Sequence, residues 1–255
     1  MKLIFKFLLV FCFLTTSALC RELKFIHITD INLNTSNAVG LLRTIKEINS
    51  YSDIDFVVFG GNNISKTNID NLNTFLYLLK KVNKKTYVLL GSSDVLASNG
   101  IDKKYYLKRV NRARFFNHSL KPNYVFTKKD CVFVVMDGSK QYFQSSNGYY
   151  NQEELRFLDK TLNKYKNKNV VILQHFPITQ TNSQWLQTPK VEEYYKVLKK
   201  YNNVRMIVSG HYGYNEEQKI DGIYHIITES YSKNHAYKII RIDFDDDFTA
   251  TSLIK

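Results

Sequence analysis

Five short polar clusters hold the side chains of this chain that could do chemistry. They are Thr29-Asp30-Ile31-Asn32, Gly60-Gly61-Asn62-Asn63, Gly91-Ser92-Ser93-Asp94, Gln174-His175-Phe176-Pro177 and Ser209-Gly210-His211-Tyr212-Gly213. Carboxylate, carboxamide, hydroxyl and imidazole are the donor types that hold a cation, hydrogen-bond a polar ligand or move a proton. Scattered along a chain they do nothing. Their use depends on elements that bring them to one place.

Each cluster directly follows a run rich in β-branched and aromatic residues. The pattern predicts strands over Leu23–Thr29, Phe56–Phe59, Thr86–Leu90, Val170–Leu173 and Val204–Val208. Amphipathic stretches alternate with them and predict helices over Val39–Ile48, Ile69–Val82, Lys103–Val110, Gln152–Asn163 and Val191–Lys200. Asn151 caps the fourth helix, with Glu153 and Glu154 in its first turn. Strands over Tyr124–Thr127 and Val132–Met136, and closing strands over Ile223–Ile227, Tyr237–Phe244 and Phe248–Leu253, break the strict alternation. Two packed sheets with helices outside, in one α/β domain, satisfy this order. Ligands of open α/β sheets bind beyond the carboxyl ends of strands, so one rim collects all five clusters.

The chain has 255 residues, 44% of them hydrophobic, enough for a sizeable core, and its three cysteines cannot form a disulfide scaffold. Lys2 and Lys6, an apolar run from Leu3 to Leu14 and small residues near Ala18 have the layout of a secretory signal peptide. The division is therefore a signal peptide over 1–20 and a domain over 21–255, with export to a periplasm, a secretory lumen or the medium. The run is too short to span a bilayer, and no stable membrane insertion is expected once it is removed. Its loss takes away two lysines and no acids, lowering the net charge from +13 to +11. The lysines lie in scattered pairs such as Lys80-Lys81 and Lys103-Lys104. They form no basic block, so a solvated surface is expected and a nucleic-acid partner is not.

The order of the five clusters resembles that of the calcineurin-like metallophosphoesterases, whose blocks read D-x-H, G-D, G-N-H-[DE], a histidine shortly before a proline, and G-H-x-H. The resemblance runs from about Leu23 to the C-terminal strands. It implies a four-layer αββα sandwich with the blocks at one edge. It also implies two divalent cations that polarise a phosphoryl group and turn bound water into a nucleophile. Asp30, His175 and His211 match retained ligands. Asn32 stands where the family has a histidine ligand and Asn62 where it has the bridging aspartate. Ser92 replaces the ligating asparagine, Ser93 the catalytic histidine and Gly213 the last histidine ligand, while Asp94 keeps its place at the rim.

With one carboxylate left among the ligand positions, paired dications are poorly neutralised. At most one weakly held Zn, Mn or Fe ion is expected, on His175 and His211 with Asn62 and Ser92 or water. The first reading is an exported, catalytically impaired module that binds an unidentified phosphorylated or anionic ligand. The alternative is a phosphoesterase with a remodelled, mononuclear site, in which Asp94 or His211 assists proton transfer. A third possibility is an envelope-binding protein that uses scattered lysines and tyrosines. Of the other residues, His27 and His225 are expected to pack, His118 to lie on a loop and Asp137 to anchor a turn. Trp185 is expected to line the mouth of the cleft with Tyr149 and Tyr150, and Cys131 to act as a small hydrophobe.

Overall fold

Strand residues of alternating burial divide this chain into three apolar layers, and that division fixes the architecture. The structure is a computed structural model that describes residues 22–143, 145–181, 186–244 and 249–254. The expected signal peptide and Trp185 lie outside the described residues.

The first half runs β1 (Glu22–Ile28), α1 (Ala38–Ser50), β2 (Phe56–Phe59), α2 (Ile69–Leu79), β3 (Lys85–Val88) and α3 (Lys103–Ala113). The second half runs β4 (Tyr124–Lys128), β5 (Cys131–Met136), α4 (Gln152–Lys164), β6 (Asn169–Gln174), α5 (Val191–Leu198), β7 (Val204–Ser209), β8 (Glu216–Ile220), β9 (Ile223–Ile227), α6 (Tyr231–Asn234), β10 (Lys238–Asp243) and β11 (Thr249–Ile254). One sheet has the order β11-β10-β1-β2-β3 and the other β4-β5-β6-β7-β9-β8. β1, β2 and β3 are mutually parallel, as are β5, β6, β7 and β9.

Along β2, Phe56 and Val58 face the second sheet, while Val57 and Phe59 face the helices, the period of two that a strand imposes. The layer between the sheets is rich in rings: Phe25 stacks on Phe56 at 4.9 Å, and Phe56 meets Phe133 edge-on at 5.1 Å. Leu41, Leu72 and Val110 carry α1, α2 and α3 onto the outer face of the first sheet. Leu155, Leu158 and Tyr194 carry α4 and α5 onto that of the second. The result is the αββα sandwich expected from the alternation.

Three local differences have plain causes. α2 ends at Leu79 instead of Val82, because the amides of Lys81 and Val82 bond to Leu78 and Leu79 in tighter turns. The sequence reading missed β8, since Glu216-Glu217-Gln218-Lys219-Ile220 carries the charges of an exposed edge rather than β-branched residues. The short helix α6 was missed as well, and it proves to matter at the rim. Asn151 does cap α4, in a capping box with Glu154. Cys131 is buried, its thiol pushed up to about 12 chiefly by desolvation, which keeps it protonated.

His27, His118 and His225 are all buried. His27 Nδ1 meets Thr228 Oγ1 at 2.7 Å, and His118 Nε2 accepts the Val88 amide at 3.0 Å. Burial lowers their pKa values to about 3, about 4 and about 4 respectively. Each is neutral when folded and gains a proton on unfolding below about pH 6.5, so each removes stability as pH falls. Asp94, raised to about 7 by burial, acts in the opposite sense over pH 4 to 7. His175 and His211, whose pKa values burial also lowers, act in the same sense, and the five histidines outweigh one carboxyl. The chain should be less stable at pH 5 than at pH 7 by several kcal/mol, read from urea midpoints, and equal midpoints would disprove the neutral buried histidines.

Candidate metal centre

The parallel strands of both sheets deliver their carboxyl ends to a common rim, where backbone contacts lock them together. The Asp30 amide donates to Gly61 O at 3.0 Å, and the Gly210 amide donates to His175 O at 3.1 Å. Gly61 has φ +96°, and a Cβ there would come within 2.7 Å of His175 Nδ1. A Cβ at Gly91 would lie 2.3 Å from the Asn62 amide nitrogen. Only glycine permits these two approaches. Asp30, Asn32, Asn62 and His211 also hold φ between +47° and +69°. Such a cluster of left-handed residues marks a site that the surrounding fold over-determines.

Asp30, His175 and His211 converge, with one ligand atom from each lying within 4.8 Å of the others. His175 Nδ1 is 2.8 Å from Gly60 O and must donate to it, which leaves the Nε2 lone pair facing inward. His211 bonds in the same way to the backbone at Ser146. Both Nε2 atoms are buried, and neither has a hydrogen-bond partner among the described residues. Burial lowers both pKa values, that of His211 to about 3, with His175 adding to its shift. The imidazoles are neutral, the form that binds a metal.

The substituted positions fill the rest of the rim with hydrogen bonds. Asn62 Nδ2 donates to Asp30 Oδ1 at 2.9 Å, while Asn62 Oδ1 accepts the Ser93 amide at 3.0 Å and the Ser92 and Ser93 hydroxyls at 3.3 and 3.1 Å. Asp30 Oδ2 accepts from Thr29 Oγ1 at 2.9 Å and from the His211 amide at 2.8 Å. Asn32 Nδ2 turns to Asp30 O at 3.2 Å. Gly213 O accepts from Lys233 Nζ at 2.9 Å, so an ammonium flanks this position.

Asp94 is not at the rim. It is fully buried, its carboxylate accepting from the amides of Asn63, Ile64 and Gly91 at 2.8, 3.1 and 2.8 Å and from Asn63 Nδ2 at 3.2 Å. It braces two loops and cannot reach a ligand to move a proton. Tyr150 is buried too, with its hydroxyl on Phe176 O. Tyr149 is half-buried, 5.9 Å from Lys140 Nζ. Asp137 anchors a turn by accepting the Ser139 amide, and it pairs with Lys103 at 2.7 Å.

Sequence reasoning missed Ser230 and Ser232. The Tyr231 and Ser232 amides donate to Thr29 O and Asp30 O, and Ser230 Oγ donates to Asp30 O at 3.2 Å. The strand-end rule, applied once more to β9, would have pointed to Thr228-Glu229-Ser230.

The donor set does not fit two dications. It has a single carboxylate, and an amide N–H already holds one of its oxygens. Two imidazoles and a carboxylate fit one zinc-like ion by donor type, with both orphaned Nε2 atoms available.

A family model described as calcineurin-like phosphoesterase matches residues 23–213. No curated protein sequence matches the chain. Among solved structures, a dimetal phosphatase from Danio rerio is similar with TM-score 0.73 and 15% identity, over 91% of this chain and 98% of that one. TT1561 of Thermus thermophilus gives TM-score 0.59 and 12% identity, over 90% and 97%. GAP50, titled the anchor in the inner membrane complex of Plasmodium, gives 0.61 and 12%, over 91% and 84%. At these identities the likeness concerns the fold alone.

Proposed function

Because this chain belongs to the calcineurin-like phosphoesterase family, we propose that it is an exported member that has lost dimetal hydrolysis and serves as a binding or structural module. The observation that carries this reading is the Asn62 carboxamide. It donates to Asp30 Oδ1 and accepts from Ser93 where the family has an anionic bridging oxygen. A neutral amide cannot balance two dications, and its N–H already takes up the lone pair that an ion would need. Ser93 can neither protonate a leaving oxygen at neutral pH nor stabilise it as an imidazolium would. The oriented hydroxyls and amides of the rim, on a basic protein, suit an anionic or phosphorylated ligand. The leader over 1–20 supports export, with the domain beginning near Arg21.

A specific observation favours a second reading. The Nε2 atoms of His175 and His211, without a hydrogen-bond partner among the described residues and with Asp30 beside them, could hold one transition ion. When bound it would supply Lewis-acid polarisation of a phosphoryl oxygen, and these three residues would be its ligands.

Metal analysis of the purified chain, with turnover of a phosphomonoester and a phosphodiester in Mn²⁺, tests both. The first reading expects less than one ion per chain and hydrolysis no faster than with Mn²⁺ alone. One stoichiometric ion, lost in His211→Ala together with measurable turnover, would favour the second. Two ions with rapid turnover would overturn the proposal. N-terminal sequencing of chain recovered outside expressing cells should begin near Arg21, and an intact Met1 would overturn export.

A further inference from the structure

α3 carries on its outer side a row of cations that nothing at the rim requires. Lys104, Lys108 and Arg112 recur every four residues and are exposed, so they share one helical face. None forms an ion pair with a carboxylate among the described residues. The row ends at Phe115 and Phe116, exposed by 81% and 75%, followed by Leu120 at 61%. Both phenylalanines hold left-handed φ, +53° and +63°, where bulky residues are rarely found. His118, buried and bonded to the Val88 amide, pins the returning chain so that the two rings stay outside the core. Between the helix and this loop lies a cleft of about 510 Å³ lined by Lys104, Lys108, Asn111, Arg112, Phe116 and Leu120.

We propose that this face docks onto an anionic lipid surface, with the Lys104-Lys108-Arg112 row on headgroup phosphates and Phe115, Phe116 and Leu120 entering the acyl boundary. The charge selects the class of partner. A second copy would set like-charged rows against each other, and bulk solvent offers no apolar phase for three protruding hydrophobic side chains. Duplex nucleic acid or an acidic peptide would satisfy the cations and leave the rings in water. A bilayer of negative surface potential meets both demands, cations at the headgroups and rings just beneath them. None of these residues belongs to the strand-end rim, so the inference goes beyond the proposed function and stands whether or not the rim binds a ligand.

The test is flotation of the full chain with phosphatidylcholine vesicles containing roughly one-third phosphatidylserine. The parent is compared with K104Q/K108Q/R112Q and with F115S/F116S. The apolar leader is common to all three, so differences between them report this face alone. The charge variant should lose on the order of 100-fold in partitioning, about fivefold per cation, and added salt should remove the same increment from the parent. The ring variant should lose on the order of 10-fold or more at unchanged salt dependence. Unchanged thermal unfolding verifies that the variants remain folded, as expected for exposed positions. Equal partitioning of all three proteins would overturn the proposal. So would tighter retention on polyglutamate or DNA that Phe115→Ser and Phe116→Ser leave unaffected, which would make the face a plain polyanion surface.

Discussion

Restoring the five substituted positions together, as Asn32→His, Asn62→Asp, Ser92→Asn, Ser93→His and Gly213→His, should raise metal content to two ions per chain and phosphodiester turnover by at least about 10³-fold. The decisive change is Asn62→Asp, which exchanges an N–H donor facing Asp30 for a second carboxylate. Without metal, two carboxylates that approach where the amide bond now measures 2.9 Å would repel. Asn62→Asp alone should therefore destabilise the apo chain and make its unfolding midpoint depend on added Mn²⁺. The backbone accepts most of the set. Positions 32 and 62 already hold left-handed φ, which histidine and aspartate tolerate better than most residues. Position 213 is the hardest, because its φ is +74° and a new Cβ would lie 2.8 Å from Lys233 Nζ. That atom is the far end of a flexible side chain, so it can swing away, and the four-residue variant that keeps Gly213 serves as the control. Two bound ions without a rise in turnover would show that the rim had lost more than these side chains. No gain in either quantity would refute the account of Asn62.

Asp94→Ala should cost about 3–5 kcal/mol of stability, measured by urea denaturation at pH 7. The carboxylate accepts three backbone amides and one carboxamide, drawn from the loops after β2 and β3. Alanine would leave the Asn63, Ile64 and Gly91 N–H groups buried without an acceptor and would release the Asn63 carboxamide from its bracing. Asp94→Asn keeps the volume but turns an N–H₂ toward these donors, so an intermediate loss is expected. A loss under about 1 kcal/mol for alanine would show that water replaces the carboxylate without penalty. Ser92 and Ser93 turn toward Asn62, whereas Asp94 holds the loop itself.

The sandwich was legible because its elements are long and periodic. Leu155 and Leu158 mark the buried face of α4, and the alternating partners of Phe56 and Val57 assign the two faces of β2. The elements that failed to show were β8, whose edge position calls for charge, and α6, whose four residues are too few to carry a period. The trio of Asp30, His175 and His211 was legible through the resemblance of its blocks to those of the calcineurin-like family, and its side chains are a cluster that converges. Asp94 was misjudged because a motif position says which residue is present, not which way its side chain turns.

The sequence by itself determined which donor types this rim has: a single carboxylate and two imidazoles among the ligand positions, and amides and hydroxyls where more charge would be required. Only the tertiary structure decided what those groups do to one another, that Asn62 satisfies Asp30, that both Nε2 atoms have no hydrogen-bond partner among the described residues and that Asp94 turns into the core. The physical reason is that charge is counted along the chain, whereas a hydrogen bond needs a donor and an acceptor within about 3 Å, and the rim joins residues 200 positions apart.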